Sequence, residues 1–145
     1  MRIEDIMTRE VITACMDDDL EKVRGMFTRY RFRHLPILDD DGKLVGIISD
    51  RDILANVSPF AGTINERAVD ANSLRRKAHQ IMTRQPQTAT PTEKAERAAL
   101  VMLHQRISSL PVIDQGGRLV GIVTMRDVMR WLLNRCCDSP TTGAA

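Results

Sequence analysis

Aromatic side chains are scarce in this chain of 145 residues: one tryptophan, one tyrosine and three phenylalanines, 3% in all. Binders of single-stranded nucleic acid need stacking platforms, so this scarcity argues against one. Charge of one sign is also lacking. Twenty-one Lys and Arg stand against 19 Asp and Glu, interspersed, for a formal net charge of +2. That balance makes no field for polyanions, and the run Arg75-Arg76-Lys77 reads as a solvated face; nucleic acid is not an expected partner. No apolar run approaches the roughly 20 residues of a bilayer span. The opening MRIEDIMTRE has no apolar stretch of the kind a signal peptide carries. Both absences exclude a membrane role and point to the cytoplasm. Cysteine is rare and odd in number. Cys136 and Cys137 are neighbours, a spacing that seldom satisfies disulfide geometry, and with Cys15 they read as reduced thiols. His34, His79 and His104 are scattered, with no second ligand-type residue at zinc spacing, so no metal site is expected.

What is present is 43% apolar residues, enough for one globular unit, and an internal repeat. Ile6-Met7-Thr8-Arg9 recurs as Ile81-Met82-Thr83-Arg84, an offset of 75. The same offset, without a gap, carries Thr13 to Thr88, Leu35-Pro36 to Leu110-Pro111, Leu44-Val45-Gly46-Ile47 to Leu119-Val120-Gly121-Ile122, and Arg51-Asp52 to Arg126-Asp127. Such short copies are near the lower limit for independent folding, so each is expected to complete the other's core.

Each copy reads strand, helix, strand, strand, helix. Leu20, Val23, Met26, Phe27 and Tyr30 share one face of a helix predicted to begin near Asp17 or Asp18. Ala95, Ala98, Ala99, Met102 and Leu103 do the same in the second copy, with Thr90 as N-cap, Pro91 first and Glu93 closing a capping box. Two short strand runs follow, joined by Asp-Asp-Gly and Gln-Gly-Gly, and read as hairpins. A second helix is predicted from about Asp50 to Val57 and again from about Met125 to Arg135. The fold class is thus α/β, with repeats at 3–57 and 78–135, a linker at 58–77 and a disordered tail at 136–145.

No nucleophile stands beside a base, and no phosphate-binding glycine loop occurs, so no enzymatic activity is expected. The repeated polar element is Gly-x-x-[Ser/Thr]-x-x-Asp at the end of a strand. Ser49 with Asp52, and Thr124 with Asp127, have the spacing of a helix capping box, which needs no ligand. A strand feeding a helix start also presents free backbone N–H groups, a phosphate site to which Arg51 and Arg126 could add charge. Gly46 and Gly121, inside strands, imply close approach of backbone or ligand. A carboxylate at Asp52 or Asp127 could accept both hydroxyls of a ribose.

The doubled pattern IMT…LP[IV]xD…G[KR]LVGI[IV][ST]xRD resembles a tandem pair of cystathionine-β-synthase (CBS) domains, or Bateman module, over nearly all of residues 3–135. The resemblance implies two pseudo-twofold-related β-α-β-β-α repeats whose clefts bind AMP, ADP, ATP, S-adenosylmethionine or NAD as a regulatory ligand, with no required cofactor. It implies one cleft with Thr124, Asp127, Thr8, Thr13, Arg33 and His34, and another with Ser49, Asp52, Thr83, Thr88, Ser108 and Ser109. Arg33 and His34 favour the first cleft for phosphate, and Asp127 ranks first as a ligand contact. The module would stand alone and signal to a separate, unidentified protein. A homodimer is expected, supported by apolar residues in the terminal helices: Ile53, Leu54 and Val57, then Val128, Met129, Trp131, Leu132 and Leu133. The alternative is a structural dimerisation module with empty clefts.

Overall fold

The computed structural model describes residues 1–137. Its elements are a 3-10 turn at Ile3–Asp5, β1 (Ala14–Cys15), α1 (Leu20–Tyr30), β2 (His34–Leu38), β3 (Leu44–Ser49), α2 (Asp50–Asn56), α3 (Ala68–Ser73), α4 (Ala78–Ile81), β4 (Thr83–Arg84), α5 (Ala95–Gln105), β5 (Ser109–Ile113), β6 (Leu119–Thr124) and α6 (Met125–Cys137). They form two compact units. The first holds Val11–Pro86 with Gly116–Leu119; the second holds Met1–Glu10, Gln87–Gln115 and the chain from Val120 onward.

Each unit is the body of one copy completed by the opening segment of the other. In the first, β1 runs parallel to β2, β2 antiparallel to β3, and β4 adds antiparallel to β3 with Thr83 opposite Ile47. In the second, β5 and β6 form the hairpin, Ala89 bridges Val112 in parallel, and Thr8 bridges Ile122 antiparallel. The pairings repeat at the offset of 75, as the sequence led us to expect. So do the glycine-aided turns, where Gly42 and Gly117 have φ of 78° and 79°.

The same exchange moves the predicted helix starts. The Asp18 carboxylate accepts the Cys15 N–H at 2.9 Å, and its carbonyl accepts the Ala78 N–H at 2.8 Å. The backbone before Asp19 is therefore committed to turn and pairing, and α1 starts at Leu20 with Asp19 as its N-cap. Thr90 does not cap α5. Residues 90–93 form a turn whose Pro91 and Glu93 carbonyls accept the Glu4 and Ile3 N–H groups at 3.0 and 2.8 Å, and α5 begins at Ala95, its N–H donated to the Met1 carbonyl. Pairing that the local sequence could not reveal overrides a good local cap.

The first core gathers Leu20, Val23, Leu35, Ile37, Ile48 and Ile53; the second gathers Ile3, Ala98, Met102, Val112, Val123 and Trp131. Tyr30, the last residue of α1, and Leu103, next to the buried Met102 on α5, are exposed although periodicity assigned both to core faces. The stretch 58–77 is more than a connector. It carries α3 and sends Ala61 and Leu74 into the first core. Its buried Asp70 accepts the Ser58 hydroxyl at 2.6 Å and the Arg67 N–H at 2.8 Å, bonds that hold this carboxyl below its ordinary range. The expected tail also starts too early. With no glycine or proline before Pro140, α6 continues through Cys136 and Cys137; the remainder of that tail lies outside the described residues.

Candidate functional site

The residues singled out by sequence gather at two strand-to-helix junctions, one per unit. In the first unit β3 passes directly into α2. Ser49 caps the helix: its Oγ accepts the Asp52 N–H at 3.2 Å, and Asp52 Oδ2 accepts the Ser49 N–H at 2.7 Å. Arg51 is exposed in the first turn. His34 lies opposite Ser49 in the β2–β3 ladder, and the Arg33 carbonyl accepts the Asp50 N–H at 3.0 Å. Half-burial lowers the pKa of His34 below 6.5; the carboxylates of Asp50 and Asp52 oppose that shift, and the Arg33 guanidinium adds to it. Thr83 on β4 is exposed and pairs with Ile47, two positions before Ser49; Thr13 is half-buried just before β1.

In the second unit β6 passes into α6. Asp127 Oδ2 accepts both the N–H and the hydroxyl of Thr124, at 2.8 and 2.9 Å, while the Asp127 N–H donates to Thr124 Oγ1 at 3.3 Å. Asp127 Oδ1 lies 3.5 Å from the Arg130 guanidinium. The Ser108 carbonyl accepts the Met125 N–H at 2.9 Å, Ser109 is buried, and Arg126 and Thr88 are exposed. Thr8 exchanges two backbone bonds with Ile122, both 2.9 Å, two positions before Thr124.

The first unit therefore brings together Thr13, Arg33, His34, Ser49, Arg51, Asp52 and Thr83, and the second Thr8, Thr88, Ser108, Ser109, Thr124, Arg126 and Asp127. Thr8 shares a unit with Thr124 and Asp127, and Thr83 with Ser49 and Asp52, as the resemblance implied; Thr13, Arg33 and His34 share a unit with Asp52 rather than Asp127, and Thr88, Ser108 and Ser109 with Asp127 rather than Asp52.

The strand glycines have a structural reason. A Cβ on Gly121 would stand 2.6 Å from Met7 Sδ and 2.9 Å from the Thr8 carbonyl. On Gly46 it would collide with Met82 Sδ and stand 3.0 Å from the Thr83 carbonyl. The incoming opening segment, with its methionine, occupies the space over each. Sequence reasoning missed Arg130, although it stands three residues after Asp127 on one helix face, a spacing that signals an ion pair. It also missed Asn56, which donates to the Asp52 carbonyl at 2.8 Å and accepts from Arg76 at 3.1 Å. Among the described residues no group of three His, Cys, Asp or Glu could hold a metal ion, and no helix is long and apolar enough to cross a membrane.

The model of the CBS domain family matches residues 3–59 and again 78–134. A CBS domain-containing protein of Dictyostelium discoideum is 33% identical over 132 residues, covering 90% of each chain. The solved CBS domain pair of protein MJ0100, in complex with 5′-methylthioadenosine and S-adenosyl-L-methionine, superposes with a TM-score of 0.77 at 32% identity, over 93% of this chain and 98% of that one. CBSX2 in complex with AMP gives a TM-score of 0.78 at 26% identity, with the same coverage. Two family matches on a gap-free repeat, and a fold shared along nearly its whole length with solved pairs, place the chain in the CBS domain family as a tandem pair.

Proposed function

We propose that this CBS pair is a regulatory module that binds an adenosine-containing ligand at its strand-to-helix junctions and passes the bound state to a partner protein. The observation that carries the reading is the duplicated junction: a Ser or Thr and an Asp one helical turn apart, where a strand feeds a helix. Asp52 and Asp127 are the groups proposed for a ribose diol, because a carboxylate oxygen can accept from each hydroxyl. Arg33, Arg51 and Arg126 are proposed for phosphate. Thr8, Thr13, His34, Thr83, Thr88, Ser108 and Ser109 are proposed to line the ligand. The ligands held by the MJ0100 and CBSX2 pairs support an adenosine class, from which AMP, ADP, ATP, S-adenosylmethionine and NAD are the candidates. No catalytic role is proposed for any residue, and the proposed setting is the cytoplasm.

A homodimer is part of the proposal, with a narrower surface than the sequence implied. Ile53, Val57, Val128 and Trp131 are buried within their own units, which leaves Leu54, Met129, Leu132 and Leu133 exposed for association. A second reading, a dimerisation module with empty junctions, is favoured by the reciprocal bonds of both capping boxes, which need no ligand.

Isothermal titration with the five candidates, and with 2′-deoxy and 3′-deoxy forms of any that binds, separates the two. Micromolar or tighter binding that weakens by one to two powers of ten without a ribose hydroxyl supports the regulatory reading. Absence of heat with all five leaves the dimerisation reading.

A further inference from the structure

Three of the five aromatic side chains, Phe27, Tyr30 and Phe32, meet at the corner where α1 gives way to β2. The Phe27 and Phe32 rings lie 4.9 Å apart at 52°, on the edge of the first core. Tyr30 lies nearly parallel to Phe32, at 6.3 Å and 17°, and is 48% exposed. The Arg29 guanidinium stands over the Tyr30 ring at 5.3 Å. The chain here reads Arg29-Tyr30-Arg31-Phe32-Arg33, and all three arginines are exposed. None of them is in an ion pair among the described residues.

The second copy is an internal control. It builds the same corner, down to a left-handed arginine at Arg106 opposite Arg31, with Met102, His104, Gln105, Ile107 and Ser108 at the positions of Phe27, Arg29, Tyr30, Phe32 and Arg33. The fold therefore asks for an apolar residue at positions 27 and 32 and does not ask for Tyr30, Arg29 or Arg33. Composition hid this local concentration, since few aromatics and a near-neutral net charge describe the average chain.

We propose that the Arg29–Arg33 corner binds single-stranded nucleic acid, with the Tyr30 ring and the Arg29 guanidinium stacking bases and Arg31 and Arg33 meeting phosphates. Bases stack on aromatic rings and on guanidinium planes alike, and alternating cations follow a phosphate backbone. An acidic peptide would use the arginines but has no use for a half-exposed tyrosine beneath a guanidinium.

The test is fluorescence anisotropy of a labelled 12-nucleotide oligo(U) with the full chain, between 50 and 150 mM salt. Two phosphate contacts on a single strand, at Arg31 and Arg33, predict micromolar affinity and a log–log salt slope of about −1.4. Tyr30→Leu should weaken binding about tenfold, one lost base stack, and Arg29→Ala with Arg31→Ala should flatten the slope to below −1 in magnitude. Tyr30→Phe should retain binding, which covers the case in which Tyr30→Leu fails to fold. No binding at 50 mM salt overturns the proposal. So does oligo(U) binding that Asp52→Ala or Asp127→Ala weakens as much as Tyr30→Leu does, which would place the strand at the nucleotide junctions, and so does heparin binding as tight as oligo(U) that Tyr30→Leu leaves unchanged.

Discussion

The two strand-to-helix junctions share a sequence pattern and differ in how far their carboxylates are engaged. Asp127 is buried, with one oxygen taken by two donors from Thr124 and the other facing Arg130. Asp52 is half-buried and, among the described residues, holds only the Ser49 N–H on Oδ2. Both Ser49 and Thr124 accept a helix N–H on the side-chain oxygen, and Thr124 in addition turns its hydroxyl onto its own aspartate. The lesson is that one [Ser/Thr]-x-x-Asp pattern makes two different objects. At Asp127 both carboxylate oxygens are engaged, whereas at Asp52 the Oδ1 atom holds no hydrogen bond among the described residues. We therefore rank Asp52 ahead of Asp127 as a ribose contact, reversing the order that Arg33 and His34 suggested from sequence.

The largest expected effects test what the junctions have in common. Gly46→Ala and Gly121→Ala should each cost about 2 kcal/mol, because the added methyl group meets a backbone carbonyl as well as a flexible methionine. At this chain length that is a fall of roughly 6–8 °C in Tm by thermal denaturation. Trimming Met82 to Ala should recover part of the loss at Gly46 and none at Gly121, since each methionine covers one glycine.

Next comes the contrast itself. Asp52→Ala should weaken AMP binding by one to two powers of ten with a modest loss of stability, as expected for a charge-assisted bond to ligand. Asp127→Ala should do the reverse, costing about 1–3 kcal/mol in chemical denaturation, because this buried carboxylate holds the Thr124 hydroxyl and faces Arg130 in addition to the backbone N–H that Asp52 also holds. Equal losses of affinity would erase the distinction. Arg106→Gly should stabilise by about 1 kcal/mol, because Arg106 holds a left-handed φ of 55° that glycine adopts freely. Arg31, at the same φ in the first copy, should respond alike.

The smallest effect concerns acid. Burial holds the folded-state pKa of His34 below 6.5. The unfolded chain then takes up the proton first, so the contribution of His34 is fully present above pH 6.5 and is lost as pH falls below it. Urea midpoints measured from pH 7.5 to 5 should fall less steeply for His34→Gln than for the unmodified chain. The second copy has Ser109 at this position and contributes no such slope.

Most of the architecture was legible because a gap-free repeat shows which residues occupy equivalent places. The hairpins, the second helices and the opening segments' role in completing each core all followed from it. The starts of α1 and α5 were not legible. Asp18 and the Thr90-to-Glu93 stretch look like helix beginnings to any local rule, and only bonds from Ala78, Ile3 and Glu4 turn them aside. The inner structure of 58–77 was hidden as well, since its Ser-Pro and glycine signal a loop while the Asp70 network that orders it joins residues twelve and three apart. At the junctions, residue types and spacing were readable. What escaped was the hydrogen-bond count at each carboxylate, which depends on a hydroxyl rotamer and on Arg130.

The exchange of opening segments sets a timetable for synthesis. The first unit needs nothing beyond Pro86 except four residues of the second hairpin's tip, so its sheet can close while the chain is still being made. The opening segment of the first copy has no such option. Met1 must wait for Ala95, and Thr8 must wait for Ile122, so residues 1–10 are made before their partners and are among the last to find their place. Loss of this segment is thus expected to injure the unit whose other parts are translated later.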